Sequence, residues 1–155
     1  MKRLIYSVIL VITVGIFVAC CGTQQDTPPE IKVDRSECSR CKMLISDGRF
    51  AAALKVDAKY LVFDDIGCML SYARDKKITP ENAVWVRNYT TDSWISAEQA
   101  SFYIEQTPQS PMEYGYIAMK ENDPKPSSHR GELMLVGGLE KLRADFSERF
   151  TAEKQ

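Results

Sequence analysis

The chain has 155 residues and a formal net charge of −1, with 45% hydrophobic and 26% charged residues, five cysteines and a single histidine. A near-neutral, slightly acidic balance without a basic cluster excludes a nucleic-acid grip, which rests on counterion release by Lys and Arg. The length suits one domain with one modest core. Beyond Cys20 and Cys21 three cysteines remain, at 38, 41 and 68, and an odd number excludes a purely structural disulfide framework.

Lys2 and Arg3 precede an apolar stretch, Leu4 to Ala19, broken only by Ser7, Thr13 and Gly15. A positive start followed by a short apolar run marks a secretory signal. The run is thin for a membrane span, which needs about 20 residues. Phe17-Val18-Ala19-Cys20 resembles the end of a bacterial lipoprotein signal, with a small residue before the cysteine. The expected organisation is a signal over 1–19, then a lipid-bearing Cys20 and a polar, proline-ended tether over 20–33, then a folded domain over 34–155. An uncleaved anchor is the alternative. Either way the domain is expected on the extracytoplasmic face of a bacterial membrane. Losing Lys2 and Arg3 takes the formal charge to −3.

The folded part opens on Cys38-Ser-Arg-Cys41-Lys-Met43. Phe50 to Val56 and Tyr60 to Phe63 read as paired strands around an Asp57-Ala58-Lys59 turn. Asp64 or Asp65 can cap the next helix, in which Ile66, Met69, Leu70 and Ala73 recur at helical spacing. Lys76 and Lys77 suit its C-terminal end, and Thr79 to Asn82 breaks it. Ala83 to Tyr89 reads as a strand. Ser96-Ala-Glu-Gln99 has the capping-box pattern and predicts a helix running to about Gln106, stopped by Pro108 and Pro111. Tyr114 to Met119 predicts a strand and Glu121 to Gly131, with His129, a polar loop. Leu133 to Val136 predicts a short strand with Gly137-Gly138 as its turn. Leu139, Leu142, Phe146 and Phe150 lie along one face of a last helix that seals the core. The order indicates a small α+β domain with a mixed sheet, built as two ββαβ-like units.

Two sulfur-rich clusters carry the chemistry: Cys38, Cys41 and Met43, then Cys68 and Met69 after Asp64-Asp65. With one histidine in the chain, a metal held here would see mainly thiolate and thioether, a set that suits monovalent copper. Cys41 and Met43, two residues apart, face the same way if the stretch is extended. Cys38 is a second thiolate or a shield; a Cys38–Cys41 disulfide or a redox pair is the competing reading. Cys68 lies at a helix start, which favours a thiolate, and is equally a small buried residue. Met69 shares the core face of its helix. Asp64 and Asp65 read as capping residues more than as a paired acid and base, and His129 reads as solvated loop.

In order along the chain, Cys38-x-x-Cys41-Lys42-Met43, Phe63-Asp-Asp-Ile-Gly-Cys68-Met69, Trp94-Ile95-Ser96-Ala97 and Pro111-Met112-Glu113 resemble the motifs of the NosL family. These are lipoproteins of the nitrous-oxide reductase gene cluster, similar in fold to organomercurial lyases. Lys42 and Glu113 each stand where the family has glycine. The resemblance implies a Cu(I) carrier without catalytic activity. It implies copper delivery to nitrous-oxide reductase, and it places Met112 beside Cys41, Met43, Cys38 and Cys68 as a ligand. The alternative is a thiol-based enzyme, either lyase-like, with Asp65 as acid, or a thiol/disulfide redox protein.

Overall fold

The computed structural model describes residues 27–78, 83–105, 109–126 and 132–150. The signal segment, Cys20 and His129 lie outside them. The chain enters through a turn in which the Ser36 N–H donates to the Lys32 carbonyl at 2.8 Å. A tight reversal follows, closed by a bridge between Glu37 and Leu44. A 3-10 turn, Gly48–Phe50, starts where the Asp47 carboxylate accepts from the Arg49 N–H.

Strands β1 (Ala52–Val56) and β2 (Lys59–Phe63) form the expected hairpin, with Asp57 at φ 55 supplying its left-handed turn residue. Helix α1 (Ile66–Lys76) is N-capped by Asp65, whose side chain accepts the Gly67 N–H at 2.6 Å. It stops at Lys77, which is left-handed at φ 55. Its last turn carries Arg74 and Lys76, where positive charge opposes the helix dipole. Strands β3 (Val84–Arg87) and β4 (Trp94–Ser96) complete a sheet of order β2-β1-β3-β4. A second sheet, β6-β5-β7, is formed by β5 (Ser101–Glu105), β6 (Tyr116–Met119) and β7 (Leu133–Gly137). Helix α2 (Leu139–Phe150) ends the described chain.

The domain is α+β, as its patterning indicates. Strand pairing within both sheets is antiparallel, and an isolated parallel bridge, Asn88 to Ala118, links them. The first unit runs β-β-α-β before adding β4, while the second runs β-β-β-α. The difference lies at residues 96–106. The Ser96 hydroxyl does accept the Glu98 N–H, but the helix is a single 3-10 turn, Ala97–Gln99, and β5 follows at once. Phe102 and Ile104 alternate inward, a period of two that only a strand satisfies. A capping pattern fixes where a helix starts and not that it continues; burial of β5 between β6 and β7 decides the outcome.

One core fills the space between the sheets and helices. Ile66, Met69, Leu70 and Ala73 of α1 pack with Leu54, Phe63, Val84 and Val86, and α2 closes the far side with Leu142 and Phe146. Met69 is thus a core residue, as its helical spacing predicts. Leu139 and Phe150 are half-buried against the same cluster, so the four apolar residues of α2 act as one stripe. Each such side chain contributes roughly 1.5–3 kcal/mol when fully buried. A smaller cluster, Phe50, Tyr89, Ile117 and Met119, packs where the two sheets meet.

Candidate metal centre

Three local structures converge at one end of α1. The first is the reversal at Cys38–Met43: the Cys38 N–H donates to the Met43 carbonyl at 2.8 Å and the Lys42 N–H to the Cys38 carbonyl at 3.1 Å. The second is the end of β2, to which the reversal is pinned by the Ser39 N–H donating to the Val62 carbonyl at 2.8 Å. The third is the first turn of α1. Asp65 is consumed as its cap, which leaves Asp64 to turn inward and places Cys68 one helical step on.

The donor atoms of Cys38, Cys41, Asp64 and Cys68 all lie within 4.8 Å of one another. The Cys41 thiol approaches both Asp64 oxygens, at 3.6 and 3.7 Å. Metal–sulfur bonds of about 2.3 Å put donors on one ion roughly 3.7–4.6 Å apart, from tetrahedral to linear. Small side-chain rotations therefore bring this group onto a single ion. All three cysteines are free thiols. Cys38, Asp64 and Cys68 are 0% exposed, whereas Cys41 is half-exposed and is the member through which an ion or a competing ligand can enter.

The electrostatics are those of crowded acids. Hydrogen bonding from the Cys68 thiol lowers the Cys38 pKa strongly, although burial opposes it. The same contact, with burial, drives Cys68 the other way. Burial pushes the Cys41 thiol up as well. One thiolate therefore forms readily, and the remaining protons are held until a cation displaces them. Burial, then the hydrogen bond and charge of Cys38, raise Asp64 to about 7. Burial raises Asp65 to about 6, against the opposing bonds from Ser110 and the backbone of Gly67, Met112 and Cys68.

The group can bind a metal. No family model, curated protein or solved structure matches the chain. The reading of the centre therefore rests on its residues.

Of the sequence candidates, Cys38, Cys41 and Cys68 come together. Met43 sits on the same reversal with its side chain 53% exposed. The alternation argument that aligned it with Cys41 does not apply, because Lys42 between them is left-handed at φ 66 and breaks the extended backbone. Met112 is half-buried against the main core, in a loop laid over the start of α1. That loop approaches so closely that a Cβ on Gly67 would come 2.1 Å from the Tyr114 ring. The Arg40 guanidinium reaches back from the reversal to the Tyr114 hydroxyl at 3.4 Å, so the loop is fastened to both sides of the cysteine group.

Asp64 is the member that sequence reasoning left as a capping residue. Its signal was present: only one of two adjacent carboxylates can cap the helix, and the other must be accommodated beside the cysteines.

Lys42 (φ 66) and Glu113 (φ 58), the two departures from glycine in the motifs the chain resembles, both occupy the left-handed region. A side chain there costs about 1–2 kcal/mol, partly offset by the extra freedom glycine gives the unfolded chain. Lys42→Gly and Glu113→Gly are each expected to stabilise the protein by up to about 1 kcal/mol. Lys42 gives up only an exposed ion pair with Glu37, which is worth little. Urea unfolding checks this, and destabilisation by both substitutions would contradict the strain.

Proposed function

We propose that this protein is a membrane-tethered, extracytoplasmic Cu(I) carrier that supplies copper for assembly of the copper centres of nitrous-oxide reductase, without catalytic activity of its own. The observation that carries the reading is the donor set. Three thiol sulfurs and one carboxyl surround a single small space, and Cys41 alone of the four reaches solvent. Soft thiolates favour Cu(I). The carboxyl that would favour a harder ion is held near neutrality by burial, with a pKa of about 7. A carrier must release as well as bind, and one half-exposed sulfur lets an incoming ligand replace it while the buried pair still holds the ion. A lipid on Cys20 would confine the carrier to the membrane surface and raise its effective concentration near a partner there.

The test is metal competition on anaerobically purified protein. One Cu(I) per chain is expected, with mainly sulfur neighbours by X-ray absorption and with zinc displaced at equal concentration. Nitrogen-dominated scattering, or equal retention of zinc, would overturn the reading. In cells, deleting the protein should leave the reductase exported but copper-poor and partly rescued by added copper. Full copper loading under copper limitation would refute delivery.

One observation favours a second reading. A protonated carboxyl beside thiolates is what protonolysis of a carbon–mercury bond requires: mercury is captured by sulfur, and the acid gives its proton to the departing carbon. In such a reading Asp64, 3.6 Å from the Cys41 thiol, would be the acid in place of Asp65, which caps α1. Release of hydrocarbon from an organomercurial by the purified protein in excess thiol would establish lyase chemistry; the carrier reading expects none.

A further inference from the structure

A Cu(I) ion on two thiolates is a net anion, and a third thiolate makes it a dianion. Cys38 and Cys68 are fully buried, so that charge lies largely out of water, where an uncompensated ion is costly. Of the cations nearby, Lys42 of the reversal turns outward to Glu37. Arg74 of α1 lies over the Phe146 ring and donates to the Phe150 carbonyl. Arg40 instead crosses from the reversal to α1, with Nη1 3.4 Å from the Tyr114 hydroxyl and Nη2 3.5 Å from Asp75. Asp75 follows Cys68 by seven residues, about two helical turns along the same face. The Tyr114 ring covers Gly67, the residue before Cys68. The guanidinium is therefore laid along the part of α1 that carries the buried thiol.

We infer that Arg40 is the counter-charge of the loaded centre, a residue that binds no metal yet sets how tightly Cu(I) is held. The inference rests on the Cu(I) reading of the cysteine group. Two further observations support it. Arg40 Nε is buried and has no hydrogen-bond partner among the described residues. A buried donor left unpaired is costly, and the thiolates formed on loading supply negative charge for it to face. Asp75 does not cancel the guanidinium, because Arg74 Nε shares that carboxylate at 3.7 Å. Burial opposes the charged form of Arg40, but the charges of Tyr114, Cys68 and Asp75 hold its pKa above the ordinary value, so the group stays a cation. The competing role is a latch between the reversal and the loop that carries Tyr114. A latch needs the geometry of the guanidinium, whereas a counter-charge needs only its sign and place.

Titration of the full-length protein against a Cu(I) chelator, anaerobically in detergent, separates the two. Arg40→Lys keeps the charge and loses the fork, and its affinity is expected to stay within about threefold of wild type. Arg40→Gln should bind about tenfold more weakly and Arg40→Glu about a hundredfold, the order of effect that Coulomb's law gives per unit charge several ångströms away at an intermediate dielectric. In about 1 M sodium perchlorate, where the screening length is about 3 Å, the gap between wild type and Arg40→Gln should shrink. Tyr114→Phe, which removes the latch and leaves the charge, should bind as wild type does. Equal losses in Arg40→Lys and Arg40→Gln, a loss in Tyr114→Phe as large as that in Arg40→Gln, or a gap indifferent to salt would overturn the inference while the carrier reading stands. A wild type that holds no Cu(I) would overturn both.

Discussion

Cys41→Ser is expected to abolish tight Cu(I) binding, with affinity falling more than about a hundredfold. Changes to residues that merely support a ligand already cost 10–100-fold, and Cys41 supplies a donor atom itself. Serine keeps the shape of the side chain but offers a hard, protonated oxygen that Cu(I) ignores. The position is half-exposed, so the fold should survive and the loss will read as chemistry, not unfolding. Cys38→Ser and Cys68→Ser should lose the ion too. Both positions are fully buried, and a buried hydroxyl without a partner costs roughly 1–3 kcal/mol, so these variants will also be less stable. Met43→Leu and Met112→Leu, which keep size and apolarity, should weaken binding by less. Titration against a Cu(I) chelator gives the order, and unchanged affinity in Cys41→Ser would reject the centre as drawn.

Asp64→Asn is expected to stabilise the metal-free protein at neutral pH by up to about 4 kcal/mol, the equivalent of a carboxyl raised from its ordinary 3.8 to about 7. The sign follows from proton counting. The folded chain keeps the Asp64 proton up to about pH 7, while the unfolded chain releases it near 3.8. Between those values the folded state binds more protons, so this group's stabilising contribution is complete below pH 4 and is lost as pH rises to 7. Cys38, whose pKa is lowered, contributes in the opposite direction. The diagnostic is therefore the difference between variant and wild type, which should be near zero at pH 4 and reach its maximum at pH 7. The variant should also hold metal less tightly. A carboxyl that weakens the empty fold and strengthens the loaded one is there for the ion. Equal unfolding free energies for the two proteins at pH 7 would remove the argument.

The parts of the fold that could be read from sequence are those governed by local chemistry. The β1–β2 hairpin follows from the turn at Asp57, α1 from its cap and its Ile66–Met69–Leu70–Ala73 spacing, and the stripe on α2 from four apolar residues. What escaped was set by distant neighbours. β4 has only three residues, too few for a pattern. β5 carries a helix-start signal that its place between two strands overrides. At the candidate metal centre the cysteines were legible because no purely structural framework uses an odd number of them. The orientation of Met43 was not, because the left-handed backbone at Lys42 defeats a strand rule at a residue whose side chain does not ordinarily adopt it.

Cys38 and Cys68 stand on opposite flanks of the β1–β2 hairpin, so an ion shared between them ties the chain into a ring of roughly thirty residues. By chain entropy alone such a tie disfavours the unfolded ensemble by about 3–4 kcal/mol. Losing the ion unties it. The loaded form is then a cross-linked molecule and the emptied form a more open one, held at this end by the reversal's backbone bonds and by Arg40, which reaches Tyr114 and Asp75. Loss of the ion leaves behind the form that opens more readily to a protease, so the lifetime of the protein would itself report how much metal is available.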